Sequence, residues 1–188
     1  MNSLLRERPM IFLLKLVFYV YLKMRNKFYS AAFSTRGLVV GRNISIVGTK
    51  NISIGNHVIL GNQTWLDCID HATLIIGDDV SLSQNVHVSA MVEVRIGNGC
   101  LIGSDVLVTD HDHSFGPQYN EVLPKNRPLM TRGKTILGRN VWLGDNVKVL
   151  SGVSLGDNVV VASNSVVNRS FPDNVVIGGI PAKILKAF

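Results

Sequence analysis

From Val40 onward, an aliphatic residue followed by a small one returns every six positions. The cleanest run is Leu137-Gly138, Leu143-Gly144, Val149, Leu155-Gly156, Val161-Ala162 and Val167, and earlier runs start at Ile54, Ile76 and Ile96. Four residues after each of these comes a second small or aliphatic residue: Val141, Val147, Val153, Val159 and Ser165. A period of six fits no helix, whose faces recur at about 3.6 residues. The first and fifth positions share the parity of a strand, so both point to one side. Groups such as Gly77-Asp78-Asp79 and Gly144-Asp145-Asn146 suit the turn that must follow. Short strand, turn, short strand winds the chain into a triangular parallel β-helix, three hexads to a coil, with coils about 4.8 Å apart. A sandwich would need hairpin turns every 8–12 residues or so, and the pattern has none.

The repeat slips by a few residues before Ile76 and Ile96 and breaks between Val108 and Thr135. The break, residues 109–134, is polar and carries Pro117, Pro124 and Pro128. Long excursions from compact domains are either functional or disordered. This one opens with Asp110-His111-Asp112-His113, which points to function.

Before the coil, Met10–Leu22 is apolar except for Lys15, too short for a spanning helix of about 20 residues. No small-residue cleavage site follows it. If residues 10–29 are helical, Lys15, Tyr19, Lys23 and Lys27 form one narrow polar stripe beside a wide apolar face. That suits a helix lying in a membrane surface, or one that packs on the body and covers its open end. The net charge of +6 divides as +8 over residues 1–50 and −2 over the rest. A basic leader on a nearly neutral domain excludes a nucleic-acid-binding face on the folded body. Apolar residues make up 46% of the 188, which excludes disorder, and two cysteines, Cys68 and Cys100, exclude a disulfide scaffold. The chain thus divides into a leader (1–39) and a β-helix domain (40–188) interrupted by the loop.

These residues resemble the hexapeptide-repeat acyltransferases with a left-handed β-helix. The match covers Val40 to Lys186 and is strongest in VTDHDHS (108–114), ILGRNVWLGDNVKVLSGVSLGDNVVVASNSVV (136–167) and VVIGGIPAKIL (175–185). Within that group the chain looks most like O-acetyltransferases of bacterial surface polysaccharides, through the DHxH loop, Arg127-Pro128 and the basic leader. The C-terminal half also resembles galactoside and maltose O-acetyltransferases. Left-handedness comes only from this resemblance, because parallel crossovers are normally right-handed. The implied fold is all-β: a left-handed parallel β-helix with an N-terminal helix, one long loop and a short C-terminal helix.

The resemblance implies transfer of acetyl from acetyl-CoA to a sugar hydroxyl, without a metal, in a homotrimer whose sites lie between subunits. The expected acceptor is a saccharide, free or lipid-linked, and the expected location is the inner face of the cytoplasmic membrane, contacted through residues 1–29. Such chemistry needs a base for the hydroxyl proton and a donor facing the oxyanion. Histidine titrates nearest neutrality. By alignment with the family's Thr-x-His, His111 is the base; His113 is the other candidate or shapes the acceptor site. Asp110 or Asp112 would orient a ring, but side chains of adjacent residues diverge, so neither is assigned. The oxyanion donor carries over to the backbone around Gly144-Asp145. Trp142 walls the pantetheine arm or fills a subunit contact, and Ala162 and Ser163 let the arm approach the backbone. Asn168, Arg169, Lys183 and Lys186 correspond to positions near the CoA phosphates and adenine. The family commonly has Thr-Lys where this chain has Asn168-Arg169, and Arg keeps the charge. Asn85 matches an acceptor-binding Asn, with His87 two residues on. The rival classes are a sugar N-acyltransferase of the same fold, a γ-carbonic-anhydrase-like zinc enzyme using His87, His111 and His113, and a non-enzymic β-helix scaffold.

Overall fold

In the computed structural model, which describes residues 8–188, a helix (Pro9–Ala32) precedes short strands wound into a left-handed parallel β-helix. Residues 1–7 of the leader lie outside the described residues. Three sheets form the faces of the prism. The first face runs from Val39–Val40 through Ser81–Leu82, Leu101–Ile102, Trp142–Leu143 and Val160–Val161 to Val175–Gly179. The second contains Ser45–Val47, Trp65–Cys68, His87–Ala90, Leu107–Thr109, Lys148–Val149 and Val166–Val167. The third contains Ile52–Ile54, Thr73–Ile76, Glu93–Ile96, Thr135–Leu137 and Ser154–Leu155.

The hexad's aliphatic positions stack in register down the inside. On the second face Leu66, Val88, Val108, Val149 and Val167 pair one above the other, each 0% exposed. The second positions, Val141, Val147, Val153 and Val159, are equally buried at the corners. Asn140, Asn146, Asn158 and Asn164 sit at those corners with left-handed backbone, which Asn tolerates better than most residues. Their amides bond down the edge, Asn146 Nδ2 donating to Asn164 Oδ1 at 2.9 Å and Asn158 Nδ2 to Asn174 Oδ1 at 2.8 Å.

The slips read before Ile76 and Ile96 are present as longer coils, and one expectation, the C-terminal helix, needs correction. Eighteen residues make a coil from Trp142 to Val160, but the coils from Val39 to Ile59 and from Ser81 to Leu101 take 20, and that from Ile59 to Ser81 takes 22. The extra residues lie at corners, where the chain bulges outward without disturbing the strands' inward stack. The short C-terminal helix is absent: Ala182–Ala187 is a strand, antiparallel to Val175–Gly179. Gly178, Gly179 and Pro181 disfavour a helix there, and the edge of Val175–Gly179 offers unpaired backbone groups that a returning strand satisfies.

The helix has no buried residue. Its C-terminal end holds the first coil: Arg25 donates to the carbonyls of Val40 and Gly41, and Tyr29 and Phe33 pack on the core. Arg42 lies 4.4 Å over the Phe18 ring. Most large apolar side chains from Met10 to Phe28 remain exposed. No helix among the described residues is long and apolar enough to cross a membrane.

Candidate active site

The loop leaves the second face after Leu107–Thr109 and turns at a bend on Asp110. His111–His113 then pairs antiparallel with Leu129–Thr131, closing the base of the loop. Hydroxyls from the loop's own return strand and from the coil that follows fix this exit. Thr131 Oγ1 and Ser151 Oγ each donate to the Asp110 carbonyl at 2.6 Å, and Thr135 Oγ1 donates to the Thr109 carbonyl at 2.9 Å.

The Asp110 carboxylate is 0% exposed and fully engaged. Met91, Val92 and Glu93 donate backbone N–H groups to it, each at 2.7 Å, and its Oδ1 lies 3.0 Å from His111 Nδ1. Burial by itself would raise its pKa; the His111 hydrogen bond and the three amides outweigh that and hold it below the ordinary carboxylate value. Thr109 Oγ1 also faces His111 Nδ1, at 3.1 Å. An ionised acceptor at Nδ1 selects the tautomer protonated there, so Nε2 is the nitrogen with a free lone pair. The His111 side chain is 13% exposed, enough to reach a ligand and too little to wander.

The sequence left Asp110 unassigned because side chains of adjacent residues diverge. That holds in a regular strand; the bend at Asp110 brings the two side chains together.

His111 opens on a cleft of about 260 Å³ lined with His87, Ser89, Leu107, Thr109, Asp112, His113 and Leu150. Through His87 and Leu107 it continues into a second cleft of about 290 Å³ lined by Gln63, Trp65, Asn85, Asp105 and Lys148. Trp65 lies flat on His87, ring centroids 4.1 Å apart and planes 6° from parallel. His87 Nε2 is buried with no partner among the described residues. Burial pushes the His87 imidazole below its usual 6.5, His111 adds to this, and Asp67 opposes it. His87 is therefore neutral near pH 7. Asn85 Nδ2 donates to Asp105 Oδ1 at 2.6 Å, while His113 is exposed at the rim. Sequence reasoning missed Trp65, whose only trace is an aromatic in a coil position, and it gave no role to Thr109, named only within the Thr-x-His pattern.

The residues matched to the cofactor lie elsewhere. Trp142, 51% exposed, sits on the first face between Leu101 and Val160. Gly144 and Asp145 form the corner between first and second faces, with Ser163 against them. A Cβ on Gly144 would come within 2.6 Å of Ser163 Oγ, so the coils approach this closely only with glycine. The Gly144 N–H is spent on the Val161 carbonyl at 2.9 Å, which removes it as an oxyanion donor. Ala162 likewise donates to Ile177. Asp145 Oδ1 accepts the Ser104 N–H at 2.7 Å. Asn168 and Arg169 are exposed after Val166–Val167, the Arg169 guanidinium 5.2 Å over Phe171, and Lys183 and Lys186 lie on the exposed last strand. In one chain, therefore, His111 stands at the corner between second and third faces, whereas Gly144, Asp145, Ala162 and Ser163 form the corner between first and second; Asn168 and Arg169 follow Val166–Val167 at the same corner as His111, two coils further on. Among the described residues no three His, Cys, Asp or Glu side chains cluster to hold a metal ion. Burial pushes the Cys100 thiol up to about 11, leaving no thiolate there near neutral pH.

A prism of hexads carrying a histidine-bearing loop defines a class, the hexapeptide-repeat transferases. The model of the family "Bacterial transferase hexapeptide (six repeats)" matches residues 134–169. A relative from Escherichia coli (strain K12), "Putative lipopolysaccharide biosynthesis O-acetyl transferase WbbJ", is 37% identical over 142 residues, covering 73% of this chain and 72% of that one. Galactoside O-acetyltransferase of the same organism is 30% identical over 151 residues, covering 78% of this chain and 62% of that one. AntD, an N-acyltransferase from Bacillus cereus solved with dTDP and 3-hydroxybutyryl-CoA, shares the fold with a TM-score of 0.71 at 22% identity, covering 87% of each chain. The chain belongs to the bacterial hexapeptide-repeat transferase family, and it is an acetyltransferase.

Proposed function

We propose that the chain transfers acetyl from acetyl-CoA to a hydroxyl of a sugar destined for bacterial surface polysaccharide, with His111 as general base. The observation that carries this reading is the Asp110–His111 pair, buried at the mouth of a cleft with Nε2 free. Asp110, itself held by three amides, keeps the ring in place with Nε2 toward the cleft. The acceptor hydroxyl gives its proton to His111 Nε2 as its oxygen attacks the thioester carbonyl. His111 then returns the proton to the departing thiol. The carbonyl oxygen takes negative charge in between, and of the two amides at the Gly144–Asp145 corner the Asp145 N–H serves it. Trp142, Ala162 and Ser163 flank the pantetheine arm, and Asn168, Arg169, Lys183 and Lys186 meet the phosphates and adenine.

The separation of the two corners supports a homotrimer, in which the base of one subunit faces the cofactor residues of the next. The lipopolysaccharide assignment in the name of the 37% identical relative supports a surface-glycan acceptor. Trp65, His87, Asn85 and His113 line the path such an acceptor takes. The exposed apolar helix supports peripheral contact with the inner face of the cytoplasmic membrane through residues 1–29, and the division at residue 39 into leader and β-helix domain.

The deciding experiment compares surface polysaccharide with and without the gene. Loss of acetyl groups released by mild alkali, which cleaves esters and spares amides, supports O-transfer. Loss of alkali-stable acetyl instead makes the chain an N-acyltransferase.

A further inference from the structure

Where the helix meets the first coil, a cleft of about 400 Å³ is rimmed by Lys23, Lys27 and Arg36 and floored by Thr35 and Leu38. We propose that this cleft binds the phosphate group of an anionic phospholipid and so sets the helix on the membrane surface. The proposal deepens the membrane-contact reading above and rests on it.

Charge is the first observation. Among the described residues three cations line the cleft, no carboxylate does, and none of the three has an ion pair. Lys23 and Lys27 stand one turn apart on the helix and Arg36 comes from the segment that follows it, so the cations converge from two elements. Half-buried Asn26 and Ser30 add polar groups between them. The volume is in the range of ligand sites and suits a headgroup.

The second observation is independent and chooses the occupant. The helix carrying two of the cations has no buried residue, and its apolar side chains face outward from Met10 to Phe28. A soluble phosphate would fill the cleft and leave that surface in water. A second copy of this chain would cover the apolar side chains but bring two sets of cations together. A phospholipid bilayer answers both needs, since phosphates meet the cations while the apolar side chains enter the acyl boundary.

The test is flotation of the full-length protein with vesicles of phosphatidylcholine alone and of phosphatidylcholine with phosphatidylglycerol. The expected result is binding to the anionic vesicles, weakened about thirtyfold in Lys23→Gln/Lys27→Gln and further by Arg36→Gln. The control Lys50→Gln/Lys125→Gln removes the same charge away from the cleft and keeps binding within about twofold. Inorganic pyrophosphate, added at matched ionic strength, competes with the vesicles. Equal losses in both double variants overturn the site in favour of diffuse attraction. Binding that ignores phosphatidylglycerol, or no vesicle binding at all, overturns it as well. Pyrophosphate binding by calorimetry without vesicle binding replaces the lipid by a soluble phosphate ligand. Acetyl-CoA turnover with a small soluble acceptor stays unchanged in all these variants, so failure here is distinct from failure of the acetyltransferase reading.

Discussion

The corners on either side of the second face are built from opposite materials. At the corner holding Gly144, coils touch through small residues: a Cβ there would crowd Ser163, and one at Gly178 would meet Ala162 Cβ at 3.0 Å. Two of its N–H groups are spent on the ladder, Gly144 donating to Val161 and Ala162 to Ile177. At the corner holding His111, the chain leaves the ladder. Its backbone is secured by the hydroxyls of Thr131, Thr135 and Ser151 and its ring by a buried carboxylate. On the proposed reading the first corner offers a surface of small residues to a long thioester. The second fixes one imidazole in one tautomer. Binding a flexible chain needs room, proton transfer needs a group that does not move, and neither corner serves both ends.

The largest test of this contrast removes the base. His111→Ala should lower kcat by about 10²–10⁴ while CoA affinity stays within error. Gly144→Val should instead distort the cofactor corner and raise the KM for acetyl-CoA. Co-refolding the two variants should recover activity, because some sites then combine an intact corner from each subunit. No recovery from mixed, correctly assembled protein would place both corners in one subunit's site.

Next comes the support of the ring. Asp110→Asn turns an amide NH2 toward backbone donors and costs stability, about 2 kcal/mol from one unmatched group. It also removes the anion that favours the His111 tautomer, so kcat should fall about a hundredfold. A stability loss with an unmoved kcat would make Asp110 structural only.

Trp65→Ala tests whether the path runs past the stacked pair. The acceptor KM should rise several-fold with kcat little changed, as expected for lost ground-state contact. A dissociated oligomer in the ultracentrifuge would make Trp65 a subunit contact.

The smallest effect concerns pH. Burial lowers the folded-state pKa of His87 below 6.5, so the folded protein binds that proton less readily than the unfolded chain. Its stability contribution is full above about 6.5 and is lost as pH falls toward the folded value. The drop in Tm from about pH 7.5 to 5.5 should be smaller in His87→Gln than in the wild type. An unchanged slope would mean that His87 does not titrate in that window.

The hexad of aliphatic and small residues carried the coil, the corner turns and the place where the loop breaks out, because burial on a narrow prism repeats a local demand every six residues. Left-handedness and the roles proposed for His111 and Trp142 came through resemblance alone. What one chain's coil sits above was set only by the tertiary structure. It depends on how many residues each corner absorbs, and that varies from 16 to 22 per coil outside the one that carries the loop. Trp65 meets His87, Ser151 reaches Asp110 across 41 residues, and the last strand finds a sheet edge where a helix was expected. Asp110 is the sharpest case. Its neighbour His111 is next in sequence, yet their contact needed a bend, and the bend is held by three amides from one coil and hydroxyls from others. Periodic burial is written residue by residue along the chain. Contacts between coils depend on the summed lengths of everything in between.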